Sequence, residues 1–217
     1  IVLLPAKGLD KSVVWNVDAS EGNNIVIDLA NTRSNIRTGS GNDIIIGLGQ
    51  RERGNDFAAY QVDSGDGDDV IDLIGGWANV NAGDGNDVIN LKVNSAPRVD
   101  GGDGDDIINI ETNLGVGTVI GGQGSDTIKI TGSVHNAKIY GGVAPGDEDG
   151  EGGGGEQGGG DNDVITISGD VSRSEIHGGS GKNSITVGGA FFSEIYGGDG
   201  NDDITIDRAF MSTIDAG

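Results

Sequence analysis

Residues Gly101–Ile110 read GGDGDDIINI, three carboxylates (Asp103, Asp105, Asp106) set among three glycines and followed at once by an isoleucine-rich run. The pattern returns along the chain: TGSGNDIII at 38–46, SGDGDDVIDL at 64–73, AGDGNDVINL at 82–91 and GGQGSDTIKI at 121–130. It continues as GGGDNDVITI at 158–167, GGSGKNSITV at 178–187 and GGDGNDDITI at 197–206. The acid closing each turn is Asp43, Asp69, Asp87, Asp106, Asp126, Asp163 or Asp202, with Asn183 replacing it once.

A lone aliphatic residue precedes each turn: Ile36, Val62, Val80, Val99, Val119, Ile139, Ile176, Ile195 and Ile214. From it to the next strand isoleucine the step is nine residues in every case (36 to 45, 62 to 71, 80 to 89, 99 to 108) except 139 to 165. The return step on the other side varies in length. A fixed length with fixed glycines means one required backbone path, including left-handed conformations that only glycine adopts cheaply. Within each strand alternate residues point to opposite faces, Ile71 and Leu73 one way and Val70 and Asp72 the other, the signature of a half-buried strand. Small residues (Ala78, Gly117, Ala137, Ser174, Ser193, Ser212) lie two before the lone aliphatics and imply a thin core between two sheets.

Two short strands per coil of about 19 residues, repeated in phase, define an all-β fold: a right-handed parallel β-roll, or two-sheet β-solenoid. One coil alone buries almost nothing; stacking at about 4.8 Å builds continuous aliphatic ladders. The segment 1–35 reads as degenerate end coils, because SEGNNIVIDL lacks the closing acid. The array proper is 36–217, interrupted by inserts at 47–60 and 143–159. The closing STIDAG opens another turn, so the array is expected to continue beyond residue 217 or to be completed by a neighbouring copy.

Composition narrows the function. The 217 residues carry 35 acidic and 13 basic side chains, a formal charge of −22. Nucleic acid is excluded as a partner, since phosphate binding needs clustered cations. No apolar run is long enough for a transmembrane helix, so no membrane insertion is expected. There is no cysteine, hence no disulfide and no thiolate metal site. His135 and His177 stand singly, without the spacing of a transition-metal site. The acids sit in turns, every repeated residue serves the coil, and no set of residues is left over for catalysis, so the chain is read as not an enzyme.

If the coils superpose, the closing acids form a column with neighbours roughly 5 Å apart. Like charges at that spacing repel by about 1 kcal/mol in water and several-fold more when partly buried. A hard divalent cation between turns reverses the sign. Calcium takes six to eight oxygens in irregular geometry and can combine carboxylates with carbonyls, whereas magnesium dehydrates reluctantly.

The turn pattern GGxGxDxUx resembles the haemolysin-type calcium repeats, or RTX repeats, over residues 36–217. The resemblance implies calcium ions, about four to seven, shared by turns of successive coils. It implicates the carboxylates of Asp43, Asp69, Asp87, Asp106, Asp126, Asp163 and Asp202. It also implicates carbonyls near Gly65, Gly67, Gly83, Gly85, Gly102, Gly104, Gly122 and Gly124. Toxin and protease members carry the motif on both edges; here it occurs once per coil, so calcium should line a single edge. That spacing is similar to the solenoid of an RTX-type ice adhesin. The row that would face ice (Ser40, Asp66, Asp84, Asp103, Gln123, Gly160, Ser180, Asp199) is mixed and charged, a poor template.

These readings point to a calcium-binding structural segment of a secreted or cell-surface protein, such as an adhesin stalk, surface layer or extracellular filament, folding as calcium binds. The alternative is a calcium-dependent accessory module of a secreted protease, lipase or polysaccharide-modifying enzyme. Partners expected are calcium and identical subunits or neighbouring domains of the same protein. The opposite edge carries Trp77, Leu114, Val134, Val171, Phe191, Phe192, Phe210 and Met211, expected to plug the open end of the sandwich. Of the adjacent pairs, one residue should face outward.

Overall fold

A computed structural model describes residues 1–3, 14–29, 32–49, 59–93, 95–144 and 161–217. Most of the expected inserts, 47–60 and 143–159, lies outside the described residues.

No helix occurs among the described residues, and the strands form two parallel sheets. The first runs through Val2–Leu3, Ile25–Asp28, Ile44–Leu48, Val70–Ile74, Val88–Lys92, Ile107–Ile110, Thr127–Ile130, Val164–Ser172, Ser184–Phe191 and Asp203–Ile206. The second runs through Val14–Asp18, Arg33–Arg37, Ala59–Asp66, Trp77–Asp84, Ser95–Asp103, Gly117–Gln123, Ala137–Tyr140, Glu175–Ser180, Glu194–Asp199 and Thr213–Asp215. The chain alternates between them, one strand of each per coil. The two-sheet β-solenoid expected from the repeat is the observed architecture.

The nine-residue step exists because it returns the chain to register. Ile71, Ile89, Ile108 and Ile128 are successive Cα partners, and so are Val62, Val80, Val99 and Val119 in the facing sheet. Both columns are buried and belong to one continuous apolar cluster. The intervening residues, such as Ile107 and Asn109, face outward. Residues 1–3 and 14–29 join the same two sheets, with Ile27 on Val2 and Val17 on Ile36. The end segment thus stacks as coils of the same kind.

The edge opposite the glycine turns is closed in two ways. Leu114, Val134 and Val171 stack in register with Ala190 and are buried, as expected of a plug, whereas Trp77 is exposed and neither Phe210 nor Met211 turns inward. Beside them, Ser174, Ser193 and Ser212 form a hydroxyl ladder. Each donates to the carbonyl two residues back, at 2.8, 2.9 and 3.1 Å. Each also accepts the amide of the preceding coil's equivalent, at Ala137, Ser174 and Ser193. These serines are therefore turn caps as well as small core residues. They pin Arg173, Phe192 and Met211 in a left-handed conformation (φ 49°, 52° and 48°) that bulky side chains rarely take. Phe192, Phe210 and Met211 are exposed, Phe191 is half-buried, and Phe192 meets Phe210 edge to face at 5.6 Å.

One coil departs from the volume pattern. Tyr60, fully buried, stands where Ala78 stands one coil later. Its ring fits because Gly47 occupies the register position of Leu73; a Cβ on Gly47 would lie 2.7 Å from the Tyr60 ring. Large and small have exchanged places across the sandwich, conserving volume.

Candidate functional site

The glycine turns superpose along one edge. Gly65, Gly83, Gly102 and Gly122 are in register, and all have positive φ, as do Gly67, Gly85, Gly104 and Gly124. At Gly102 the conformation (φ 110°) and the space both require glycine: a Cβ would lie 2.0 Å from the Gly83 carbonyl oxygen. These eight glycines let successive turns touch backbone to backbone.

The closing acids are brought together, and they face inward. Asp43, Asp69, Asp87, Asp106, Asp126 and Asp163 are each at most 1% exposed. Their Oδ1 atoms form a ladder with backbone amides of the preceding coil. The Asp43 amide donates to Asp69 at 2.7 Å, Asp69 to Asp87 at 2.7 Å, and Asp87 to Asp106 at 2.7 Å. Asp106 donates to Asp126 and Asp126 to Asp163, both at 2.8 Å. Asn24 and Asn183 hold the same position and extend the ladder. Each carboxylate thus satisfies an amide that a coil turning away from its sheet leaves open.

The second oxygen is another matter. Oδ2 of Asp43, Asp69, Asp87, Asp106, Asp126, Asp163 and Asp202 is buried and meets no hydrogen-bond donor. A buried unpaired carboxylate is costly, and the acidities register it. Burial pushes Asp126 up to about 9, Asp87 to about 8 and Asp106 to about 7, against the pull of the amide on Oδ1. Neighbouring carboxylates add to the rise at all three. Asp69 and Asp163 rise to about 6 for the same first reason.

A parallel outer ladder was not legible as such in the sequence. Asn23 Oδ1 accepts the Asn42 amide, Asn42 that of Asp68, Asp68 that of Asn86, Asn86 that of Asp105, and Asp105 that of Ser125. Asp105 is therefore a structural acceptor, one residue before the buried acid and exposed. The signal was available: this position holds Asn, Asp or Ser, each with a side-chain oxygen, through residue 162. Asp103 instead accepts from the Gln123 amide at 2.8 Å.

Among the described residues no three His, Cys, Asp or Glu side chains converge as a metal cluster. A cation on this edge would have to be held by single carboxylates together with backbone carbonyls, a donor set made only of hard oxygens. His135 is bonded to Ser172, and His177 is stacked between Tyr140 and Tyr196 at 5.2 and 4.9 Å.

The fold and this edge define a class: a two-sheet parallel β-solenoid whose turns bury a ladder of carboxylates. No family model matches the chain, and no curated protein or solved structure matches it.

Proposed function

We propose that the chain is a calcium-stabilised structural repeat segment of a secreted or cell-surface protein, such as an adhesin stalk, surface layer or extracellular filament. The observation that carries this reading is the row of buried Oδ2 atoms with no donor, repeated in seven turns. The likeness of the turns to haemolysin-type calcium repeats supports it, and so does the formal charge of −22. A regular solenoid whose repeated residues all serve the stack suits a structural segment better than an enzyme.

The residues present fit the ion. Calcium takes oxygen ligands alone and accepts a mixture of carboxylates and carbonyls. It would be held by the Oδ2 atoms of the closing aspartates and by carbonyls of the glycine turns. When bound it would neutralise carboxylates that the fold has removed from water. The chain's own residues do the rest: Oδ1 anchors each turn to the one before, the glycines allow the turns to touch, and the isoleucine columns set the spacing. Because the unfolded chain has no such edge, binding free energy becomes folding free energy. Calcium at the millimolar level outside cells is in the range that extracellular modules use.

Far-UV circular dichroism with calcium and with excess chelator, at pH 7.5, tests the reading. A β spectrum that appears with calcium and is lost on chelation is expected. An unchanged β spectrum and an unchanged melting temperature in chelator refute it.

A further inference from the structure

The seven turns with an aspartate are not equivalent, and the residue that separates them is the first of each turn, five before the closing residue in uninterrupted turns. It is Thr38, Ser64 and Ala82 in three turns, then Gly101, Gly121, Gly141 and Gly197 in the other four; Gly178 opens the turn closed by Asn183. None of these five glycines has positive φ. Backbone conformation does not call for glycine here, and the equivalent Thr38, Ser64 and Ala82 confirm that the path accepts a side chain.

What calls for glycine is in front of it. A Cβ on Gly101 would lie 2.2 Å from Asp106 Oδ2 and 2.4 Å from the Gly121 carbonyl oxygen. The same pair of contacts recurs at Gly121 (2.4 Å to Asp126 Oδ2, 2.2 Å to Gly141 O), at Gly141 (2.7 Å to Asp163 Oδ2, 2.4 Å to Gly178 O) and at Gly197 (2.7 Å to Asp202 Oδ2, 2.6 Å to Ala216 O). A carboxylate oxygen and a carbonyl oxygen of the next coil therefore converge over each glycine. At Gly101 they are at most about 4.6 Å apart, the two distances laid end to end. Two oxygens each about 2.4 Å from one calcium ion are no farther apart than that by more than a few tenths of an ångström. Real Cβ atoms do not come within 3.0 Å of such oxygens, so a side chain at this position forces the pair apart.

In the other turns, the Ala82 turn excepted, a side chain donates to that same carbonyl. Thr38 Oγ1 donates to the Ser64 carbonyl at 3.0 Å, and Ser64 Oγ to the Ala82 carbonyl at 2.9 Å. Where the closing acid is asparagine, the amide does it: Asn24 Nδ2 donates to the Thr38 carbonyl at 3.4 Å and Asn183 Nδ2 to the Gly197 carbonyl at 3.3 Å. At Ala82 there is no donor, and the methyl group stands in the gap. Where aspartate is combined with glycine, the two converging oxygens face each other with neither a side-chain donor nor a methyl group between them, although the Gly141 and Gly178 carbonyls each also accept a backbone amide, from Gly122 and Gly142, at 3.1 Å.

We propose that hard divalent cations of the calcium type are held in four gaps, Asp106 with Gly121, Asp126 with Gly141, Asp163 with Gly178 and Asp202 with Ala216. The turns of Asp43, Asp69, Asp87 and Asn183 hold none. This rests on the calcium reading above and divides the edge into turns that hold an ion and turns that do not. Each of the first three acids is nine-tenths or more buried, and its unpaired Oδ2 is directed into the gap.

Counting calcium bound to the 217-residue chain by flow dialysis, in about 0.15 M salt to screen surface acids, tests the division. The unmodified chain should bind four ions, Gly121→Ala three, Asn183→Asp five, and Asp69→Asn four. Should Gly121→Ala fail to fold, the other two variants decide. Any non-zero count other than four in the unmodified chain, loss of an ion in Asp69→Asn, or no gain in Asn183→Asp overturns the division while leaving the calcium reading intact. A count of zero overturns the calcium reading itself.

Discussion

Replacing Asp126 by asparagine should stabilise the chain when calcium is removed. The fold contains the precedent. Asn183, at the same position two coils later, accepts the Asp163 amide at 2.9 Å through Oδ1 and donates to the Gly197 carbonyl through Nδ2. An asparagine at 126 would take the Asp106 amide in the same way and donate to the Gly141 carbonyl, leaving no buried charge. The magnitude follows from the acidity. Burial raises Asp126 from 3.8 to about 9. A folded value above the unfolded one gives a contribution that is complete below pH 3.8 and lost as pH rises through about 9. Keeping the group protonated at pH 7 therefore costs on the order of 4 kcal/mol. In excess chelator Asp126→Asn should keep its β spectrum to a higher pH than the unmodified chain, the stability difference reaching up to about that amount at pH 7 and shrinking toward zero near pH 4. In saturating calcium the order should reverse, because the variant gives up an ion. A variant destabilised equally at both pH values in chelator would refute the reasoning, since charge would then not be what the position lacks.

The same sign applies to the column as a whole. Asp69, Asp87, Asp106, Asp126 and Asp163 are all raised, to values between about 6 and about 9, so the chelated chain should gain β structure as pH falls from 9 to 4, followed by circular dichroism. This is opposite to ordinary acid denaturation. Tyr60→Ala should cost about 3–5 kcal/mol in urea denaturation, as emptying a large aromatic site does, and Gly47→Ala should restore little because its methyl fills a fraction of the ring. Ser193→Ala removes both the donor to the Phe191 carbonyl and the acceptor of the Ser174 amide; a loss of about 1–3 kcal/mol is expected from the buried groups left unpaired, and Ser193→Thr should recover part of it.

The fold was legible because its determinants are periodic. Ile71, Ile89 and Ile108 lie nine residues beyond Val62, Val80 and Val99, and that interval alone places both columns. The position of the closing acids was legible for the same reason. Their orientation was not: sequence spacing gives a column of Asp69, Asp87 and Asp106 but cannot say that Oδ1 is committed to an amide of the coil before. Nor does spacing distinguish Asp105, an exposed acceptor in the outer ladder, from Asp106, a buried one, although they are adjacent. The first residue of the turn was legible as small and nothing more. That Thr38 and Ser64 offer a hydroxyl to the next coil's carbonyl, while Gly101 and Gly121 offer empty space, depends on contacts between residues 18 to 26 apart. The exchange of Tyr60 for Gly47 was hidden for a related reason: each looks irregular within its own strand and fits only against the facing sheet.

The choice between aspartate and asparagine in the turns carries the argument for a cation furthest. An asparagine satisfies both demands of the position from within the chain, accepting one amide and donating to one carbonyl, as Asn183 does. It brings no charge into the interior. Stacking alone would therefore favour asparagine at every closing position, yet seven of the nine from Asn24 to Asp202 are aspartate. Aspartate matches asparagine at Oδ1 and is worse at Oδ2 in every environment without a counter-charge. It becomes the better residue where something positive enters the gap, as proposed for Asp106, Asp126, Asp163 and Asp202; nothing in the structure explains it at Asp43, Asp69 and Asp87. A proton can supply the charge, at the cost worked out for Asp126; a cation small enough for the gap and content with oxygen would supply it at neutral pH without that cost. The coils that keep aspartate while removing the first-position side chain are those in which both conditions for such an ion are met. On the proposed reading, an array built this way is held together at that edge by its surroundings as much as by its own contacts.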